Sequence, residues 1–199
     1  MKKINKLRKL FNQYNLDGYI VPKNNNFFGE YVPTSEDNLK YISNFTGSAG
    51  FAIILKNKNL MFVDGRYTTQ ANIQCGKNYK VFTIPKVCPF NIFNNKNLNL
   101  GFDPKLHTEN SLNKLFKNSF IKLKPVNVNL IDLLWKRKKD LKTKPFYLIK
   151  DVDAGDKLDN KLSKLIKLIE LNNVDYVFTT ASENIAWLLN IRGHDCHYS

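Results

Sequence analysis

Few side chains in this sequence are suited to chemistry, and they are scattered. There are three histidines, His107, His194 and His197. Two fall in the run His194-Asp195-Cys196-His197, which holds three good metal-ligand types. A short run at a chain end lacks the scaffold that fixes ligands, so these residues are expected to be adventitious. Asp151-Val152-Asp153-Ala154-Gly155-Asp156 resembles a calcium loop, but Gly155 takes the fifth place, Asp156 stands where the loop needs Gly, and Leu162 where it needs Glu. An interdomain linker and helix N-terminus, with Asp156 near the positive end of the helix dipole, is the expectation there. Gly47-Ser48-Ala49-Gly50 has the small residues of a phosphate cradle. However, it precedes a strand and lacks a following Lys, which indicates a turn. In Asp64-Gly65-Arg66-Tyr67, Asp64 can cap, Gly65 can turn, and Arg66 could face a carboxylate across an interface. Asp64 and Arg66 are therefore the interface candidates. No HExxH, Walker A or GxSxG pattern occurs, so no catalytic and no metal-ligating residue is assigned.

The elements that must position these residues follow from periodicity. Ile4, Leu7, Leu10, Phe11 and Tyr14 predict a helix over 4–15, stopped by Asp17-Gly18, and Tyr19-Ile20-Val21 predicts a buried strand. Ser35 is expected to cap a helix through Leu39, Tyr41 and Ile42. Residues 51–55 and 60–63 read as a hairpin across Lys56-Asn57-Lys58-Asn59. A helix over 66–75, strands over 79–84, 98–102 and 120–123, and a helix marked by Leu112, Leu115 and Phe116 complete the first part. Residues 85–97 read as irregular. Further on, Leu158, Leu162, Leu165, Ile166 and Ile169 predict a helix, Val174–Thr179 a strand, and 182–190 a helix. Trp135 and Trp187 are expected on apolar helix faces, in the core. This alternation is that of an α/β layered fold.

Composition limits the functions open to such a fold. The 199 residues are 43% apolar and 13% aromatic, enough for a core and unlike a disordered chain. No apolar run reaches the length of a spanning helix, and the N-terminus lacks a signal-like apolar stretch, so a soluble cytoplasmic protein with no membrane partner is expected. Cys75, Cys88 and Cys196 form no CxxC pair and suit a reducing compartment. The net charge is +14, carried by 27 Lys and only 4 Arg beside 27 Asn. That bias reads as compositional drift rather than nucleic-acid recognition, which favours Arg. Lys136-Arg137-Lys138-Lys139, the densest basic cluster, is expected to be a solvated linker.

The boundary suggested by this basic stretch separates a domain over 1–140, a linker over 141–152 and a shorter portion over 153–199. The shorter portion repeats the opening. Leu16-Asp17-Gly18-Tyr19-Ile20-Val21 corresponds to Val174-Asp175-Tyr176-Val177-Phe178. Ser35-Glu36-Asp37-Asn38-Leu39 through Asn44-Phe45-Thr46-Gly47 corresponds to Ser182-Glu183-Asn184-Ile185 through Asn190-Ile191-Arg192-Gly193. Each copy reads helix, strand, capped helix, Gly.

Five motifs in order then resemble one family. Glu30-Tyr31-Val32-Pro33 with Ser35-Glu36-Asp37, Phe45-Thr46-Gly47-Ser48-Ala49-Gly50-Phe51-Ala52, Val63-Asp64-Gly65-Arg66-Tyr67, Gly101-Phe102-Asp103-Pro104, and Ile185 to Gly193 are together similar to Xaa-Pro aminopeptidase (aminopeptidase P). The resemblance implies a creatinase-like N-terminal domain with a mixed sheet flanked by helices, followed by an incomplete second copy of the same fold. It also implies a parent with a pita-bread catalytic domain holding two divalent metals, typically manganese, on two Asp, one His and two Glu, which removes an N-terminal residue preceding proline. None of those ligands has a counterpart here, so no cofactor is expected in this chain.

The expectation is thus a truncated or split-gene product, the non-catalytic N-terminal portion of an aminopeptidase P-like metallopeptidase. One alternative is a subunit of an active peptidase completed by a separate catalytic chain. Another, weaker, is a basic nucleic-acid-binding protein. Exposed Leu and Ile on 158–169 further suggest self-association.

Overall fold

Strand patterning builds the larger part of the molecule. In the computed structural model, which describes residues 1–137 and 144–194, β1 (Gly18–Pro22), β2 (Gly50–Leu55), β3 (Asn59–Asp64), β4 (Lys80–Ile84), β5 (Asn99–Phe102) and β6 (Lys122–Pro125) form one sheet in the order β4-β3-β2-β1-β5-β6. β1, β2 and β3 run antiparallel to their neighbours in that series, while β4 joins β3 and β5 joins β1 in parallel, as does β6 with β5. The period-2 alternation sends successive side chains to opposite faces. Tyr19, Val21, Ala52, Ile54, Met61 and Val63 enter one core, with Ile4, Leu7 and Phe11 of α1 (Lys2–Phe11), Leu39 and Ile42 of α2 (Asn38–Ser43), and Ala71 and Cys75 of α3 (Thr68–Cys75). Ile20, Ile53, Leu55, Leu60 and Phe62 enter the other, with Phe93 of α4 (Pro89–Phe93) and Leu112 and Phe116 of α5 (Glu109–Phe116). Helices thus cover both faces of a mixed sheet, as the sequence pattern indicates.

Local differences from expectation have identifiable causes. Asp37, not Ser35, caps α2, its Oδ1 accepting from the Lys40 N–H at 2.9 Å. Residues 85–97 are not wholly irregular, because Pro89 at the first helical position and a capping box on Cys88 and Asn91 start α4. The last strand of the sheet lies at 122–125 rather than 120–123, where it pairs with 99–102. Arg137 does not sit in a solvated linker: it donates to Asn38 Oδ1 at 2.8 Å, pairs with Asp132, and stacks over Trp135. Lys138 and Lys139 lie outside the described residues. Trp135 is not on a helix but stacks on Tyr41 with ring centroids 4.7 Å apart.

The chain divides into two units, Met1–Asn26 with Val32–Lys138, and Phe27–Tyr31 with Lys139–Ser199. The second holds a two-stranded ladder of β7 (Tyr147–Leu148) and β8 (Ile191–Arg192), with α6 (Asp151–Ala154), α7 (Leu158–Leu171) and α8 (Ser182–Leu189). Val174–Thr179 forms no strand, because no partner among the described residues offers it a hydrogen-bond ladder. Trp187 is 60% exposed rather than buried in a core.

The repeat read from the sequence extends to backbone conformation and hydrogen bonding. After α1, Asn15 is left-handed (φ 51°), with Asn15 N–H bonded to Asn12 O and Leu16 N–H to Phe11 O. After α7, Asn173 is left-handed (φ 51°), with Asn173 N–H bonded to Glu170 O and Val174 N–H to Ile169 O. Both are Schellman closures, with Asn in the place usually held by Gly. The next helix of each copy ends on a left-handed Asn as well, Asn44 (φ 66°) and Asn190 (φ 53°). A lysine of the first helix holds the aromatic residue of the second in both. Lys3 Nζ donates to Tyr41 O at 2.9 Å and lies 4.3 Å from the Tyr41 ring. Lys161 Nζ donates to Trp187 O at 2.7 Å and lies 4.2 Å from the Trp187 ring.

Candidate functional site

The two motifs singled out as turns meet on one surface of the first unit. At the end of β3, Asp64 Oδ1 accepts from the Arg66 backbone N–H at 2.9 Å and from Arg66 Nε at 2.9 Å. The side chains are well exposed, 42% for Asp64 and 73% for Arg66. The guanidinium hydrogen bond holds the Asp64 carboxyl below the usual carboxylate range. Asp64 and Arg66 thus neutralise one another within a single turn, with the guanidinium projecting into solvent. The neighbouring Tyr67 shares a 2.7 Å hydrogen bond with Ser48, and its ring meets Phe45 edge-on at 6.0 Å. Thr46 is tied to Gln74 through its backbone N–H and to Gln70 and Gln74 through its hydroxyl.

Small residues are required where these loops approach. A Cβ on Gly47 would come within 2.3 Å of the Phe45 ring, and one on Gly50 within 2.8 Å of the Phe62 carbonyl oxygen. The glycines serve packing, as a turn needs. The described side chains of this surface present hydrogen-bonding groups and the Arg66 cation, with no nucleophile next to a base and no pair of carboxylates among them.

Two polar features of the first unit, an enclosed ion pair and a buried histidine, carry no signal in the sequence. Lys23 Nζ lies 2.5 Å from Asp37 Oδ2, both side chains nearly enclosed at 11% and 6% exposure. His107 donates from Nδ1 to the Asp103 carbonyl at 3.1 Å and packs edge-on against Phe102. Because a carbonyl can only accept, Nε2 is the unprotonated nitrogen, and it is buried with no hydrogen-bond partner among the described residues. Burial holds the His107 pKa below its ordinary value. A proton on Nε2 would find no acceptor, so folding favours the neutral ring. The folded state then binds fewer protons than the unfolded one as pH falls below the ordinary histidine range, and stability declines over that interval. We expect urea midpoints to drop between pH 7 and pH 5. In His107→Phe this slope should be smaller, with a loss of about 1 kcal/mol at pH 7 from the missing Nδ1 hydrogen bond. An unchanged slope would remove His107 from the account.

Among the described residues, no three His, Cys, Asp or Glu side chains gather as a metal-holding group. His194 stacks on Tyr147 at 4.4 Å, whereas Asp195, Cys196 and His197 lie outside the described residues. Asp156 is engaged by Lys164 at 2.6 Å and Asn160 at 2.9 Å, the former chiefly lowering its pKa. The described side chains therefore do not fit a two-metal centre, and no metal-dependent step is derived for them. No helix among them is long and apolar enough to cross a membrane.

Comparison with known proteins gives a consistent result. The family described as Creatinase/Prolidase N-terminal domain matches residues 3–131, and a second family of the same description matches 137–199. A probable Xaa-Pro aminopeptidase P of Laccaria bicolor is 31% identical over the whole chain, which covers 32% of that protein. Xaa-Pro aminopeptidase 1 of Dictyostelium discoideum is 30% identical over the whole chain, which covers 34% of it. The crystal structure of X-prolyl aminopeptidase from Caenorhabditis elegans, described as a cytosolic enzyme with a di-nuclear active site, superposes with a TM-score of 0.83 at 26% identity, over 98% of this chain and 35% of that one. The chain spans about a third of the length of the curated relatives it matches.

Proposed function

Because this chain belongs to the Creatinase/Prolidase N-terminal domain family, we propose that it is the non-catalytic N-terminal portion of an aminopeptidase P-like metallopeptidase. Coverage carries this reading: the two family matches account for residues 3–131 and 137–199, and the aligned third of each relative is its counterpart. In a full-length parent, release of the N-terminal residue from Xaa-Pro peptides falls to the remaining two-thirds. The part seen here restricts access to that site and contributes to assembly. The exposed Arg66, paired with its neighbour Asp64, suits such an assembly contact. A cytoplasmic location is supported by the cytosolic description of the Caenorhabditis elegans enzyme.

The test is direct. Purified 199-residue chain with added manganese is expected to release no residue from an Xaa-Pro peptide at any protein concentration. Hydrolysis that follows the chain through purification would overturn the reading. A second reading, a subunit completed by a separate catalytic chain, is favoured by one observation: Tyr176 and Phe178 are 90% and 91% exposed. Translation of the DNA downstream, in all frames, separates the two, since a split gene places the missing metal ligands there.

A further inference from the structure

Positive charge gathers without acid at the rim of the core that holds Phe62 and Phe93. Leu60 and Phe62 of β3 lie on that face of the sheet, and Phe82 of β4 stacks on Phe62 with ring centroids 5.3 Å apart. Side chains alternate along a strand, so Lys58, two residues before Leu60, and Lys80, two before Phe82, extend the same face past its edge. Lys58 sits in the β2–β3 turn, where its carbonyl accepts the Leu55 N–H at 2.8 Å. Lys80 opens β4 opposite Leu60, and its Nζ lies 5.4 Å from the Phe82 ring. Lys96 arrives after α4, in a turn where its N–H donates to the carbonyl of the buried Phe93 at 3.0 Å. The Lys58 and Lys96 ammonium groups come within hydrogen-bonding reach of each other, with Lys80 close enough to act on Lys58.

Such a meeting of cations calls for a counter-ion, because an ammonium only donates hydrogen bonds and neither Lys58 nor Lys96 can accept from the other. Among the described residues, no carboxylate forms an ion pair with any of the three. Asp17, at the same end of the sheet, is engaged by Lys56 at 2.8 Å and by the Asn99 N–H at 3.0 Å. We propose that Lys58, Lys80 and Lys96 form a binding site for a phosphate group, whose oxygens sit between the three ammonium groups and accept from each. Lysine suits that role as a point charge with several donors. The hairpin turn, β4 and the turn after α4 carry the three stems on backbone fixed by hydrogen bonds. A nucleic acid is the poorer ligand, because the charges converge on one point instead of tracking a row of phosphates. Arg8, the guanidinium at this hairpin, is already engaged by Leu55 O at 2.8 Å and Asn59 Oδ1 at 2.9 Å.

A titration of the 199-residue chain with inorganic phosphate, followed by NMR with chloride at matched ionic strength as the control, tests this site. Amides at 57–59, 80 and 95–97 should shift together and saturate, with a Kd on the order of 1 mM. Loss of hydration first, then Lys96 and Lys80, holds the Lys58 pKa below its ordinary value, so its titration should move up when phosphate is present. Lys58→Gln and Lys96→Gln should each weaken binding about fivefold. Lys56→Gln removes an ammonium already paired with Asp17 and should change binding by less than about twofold. Methyl phosphate separates the two sources of the group. Binding equal to that of inorganic phosphate supports a site for a phosphate monoester, and rejection of the ester supports a site for the free ion. Equal shifts in chloride, shifts that never saturate, or Lys58 and Lys96 variants that bind like the parent would overturn the proposal. A single-stranded oligonucleotide that shifts these amides where inorganic phosphate does not would assign the patch to nucleic acid and overturn it too.

Discussion

Replacing Asp37 by Ala is expected to cost the first unit about 3–5 kcal/mol, because it strands the Lys23 ammonium in a nearly enclosed site. The carboxylate performs two tasks. One oxygen meets Lys23 Nζ at 2.5 Å and the other accepts the Lys40 N–H that opens α2. Taking a charge out of water is costly, and the partner offsets that cost only while it is present. Lys23→Met should therefore be milder than Asp37→Ala, since the remaining carboxylate still caps the helix. The double variant should recover all but about 1 kcal/mol, the worth of the lost cap. Urea midpoints for the two single variants and the double one measure this as a coupling. If the two losses add, the pair is solvated and the argument fails. The pair also bears on the candidate surface, because α2 leads through Asn44 into the Thr46–Gly50 loop beside Arg66 and Tyr67.

Much of this architecture is legible in the residues themselves, for a physical reason. Strands between two layers of helices are apolar on both faces, and Phe51–Leu55 and Leu60–Val63 show it directly. Helix α1 declares itself by Ile4, Leu7 and Phe11. Helix α4 is hidden because it is five residues long, too short for a period, although Pro89 as a starting signal could have found it. The 174–179 stretch has a strand's composition but no strand, since a strand exists only through a neighbour's hydrogen bonds. Of the candidate surface, Asp64, Gly65 and Arg66 read correctly as a capped turn because the contact is local. Lys23–Asp37 and the buried His107 depend on which distant segments meet, and no spacing in the sequence announces that. The lysine clamps are intermediate: aligning the copies on their asparagines sets Lys3 against Lys161 and Tyr41 against Trp187 before any coordinates are known.

That alignment makes the same substitution in the two copies a controlled comparison. Lys161 is 3% exposed, and its Nζ donates to Trp187 O at 2.7 Å and to Asn190 Oδ1 at 2.6 Å, beneath the Trp187 ring. Lys3 makes the same carbonyl and ring contacts from an exposed position. Charge-assisted hydrogen bonds and cation–π contacts strengthen as water is excluded. Lys161→Met should thus loosen α8 by about 3 kcal/mol, leaving Asn190 Oδ1 without its donor, and amides of Ile185–Leu189 should exchange on the order of 100-fold faster. Lys3→Met should change exchange at Leu39–Ser43 by less than about fivefold, because its contacts compete with water. Equal effects in the two copies would mean that burial does not set the strength of the clamp. A null effect at Lys161 would mean that α8 is held by its apolar contacts alone, and that the shared lysine is a remnant of the repeat rather than its fastening.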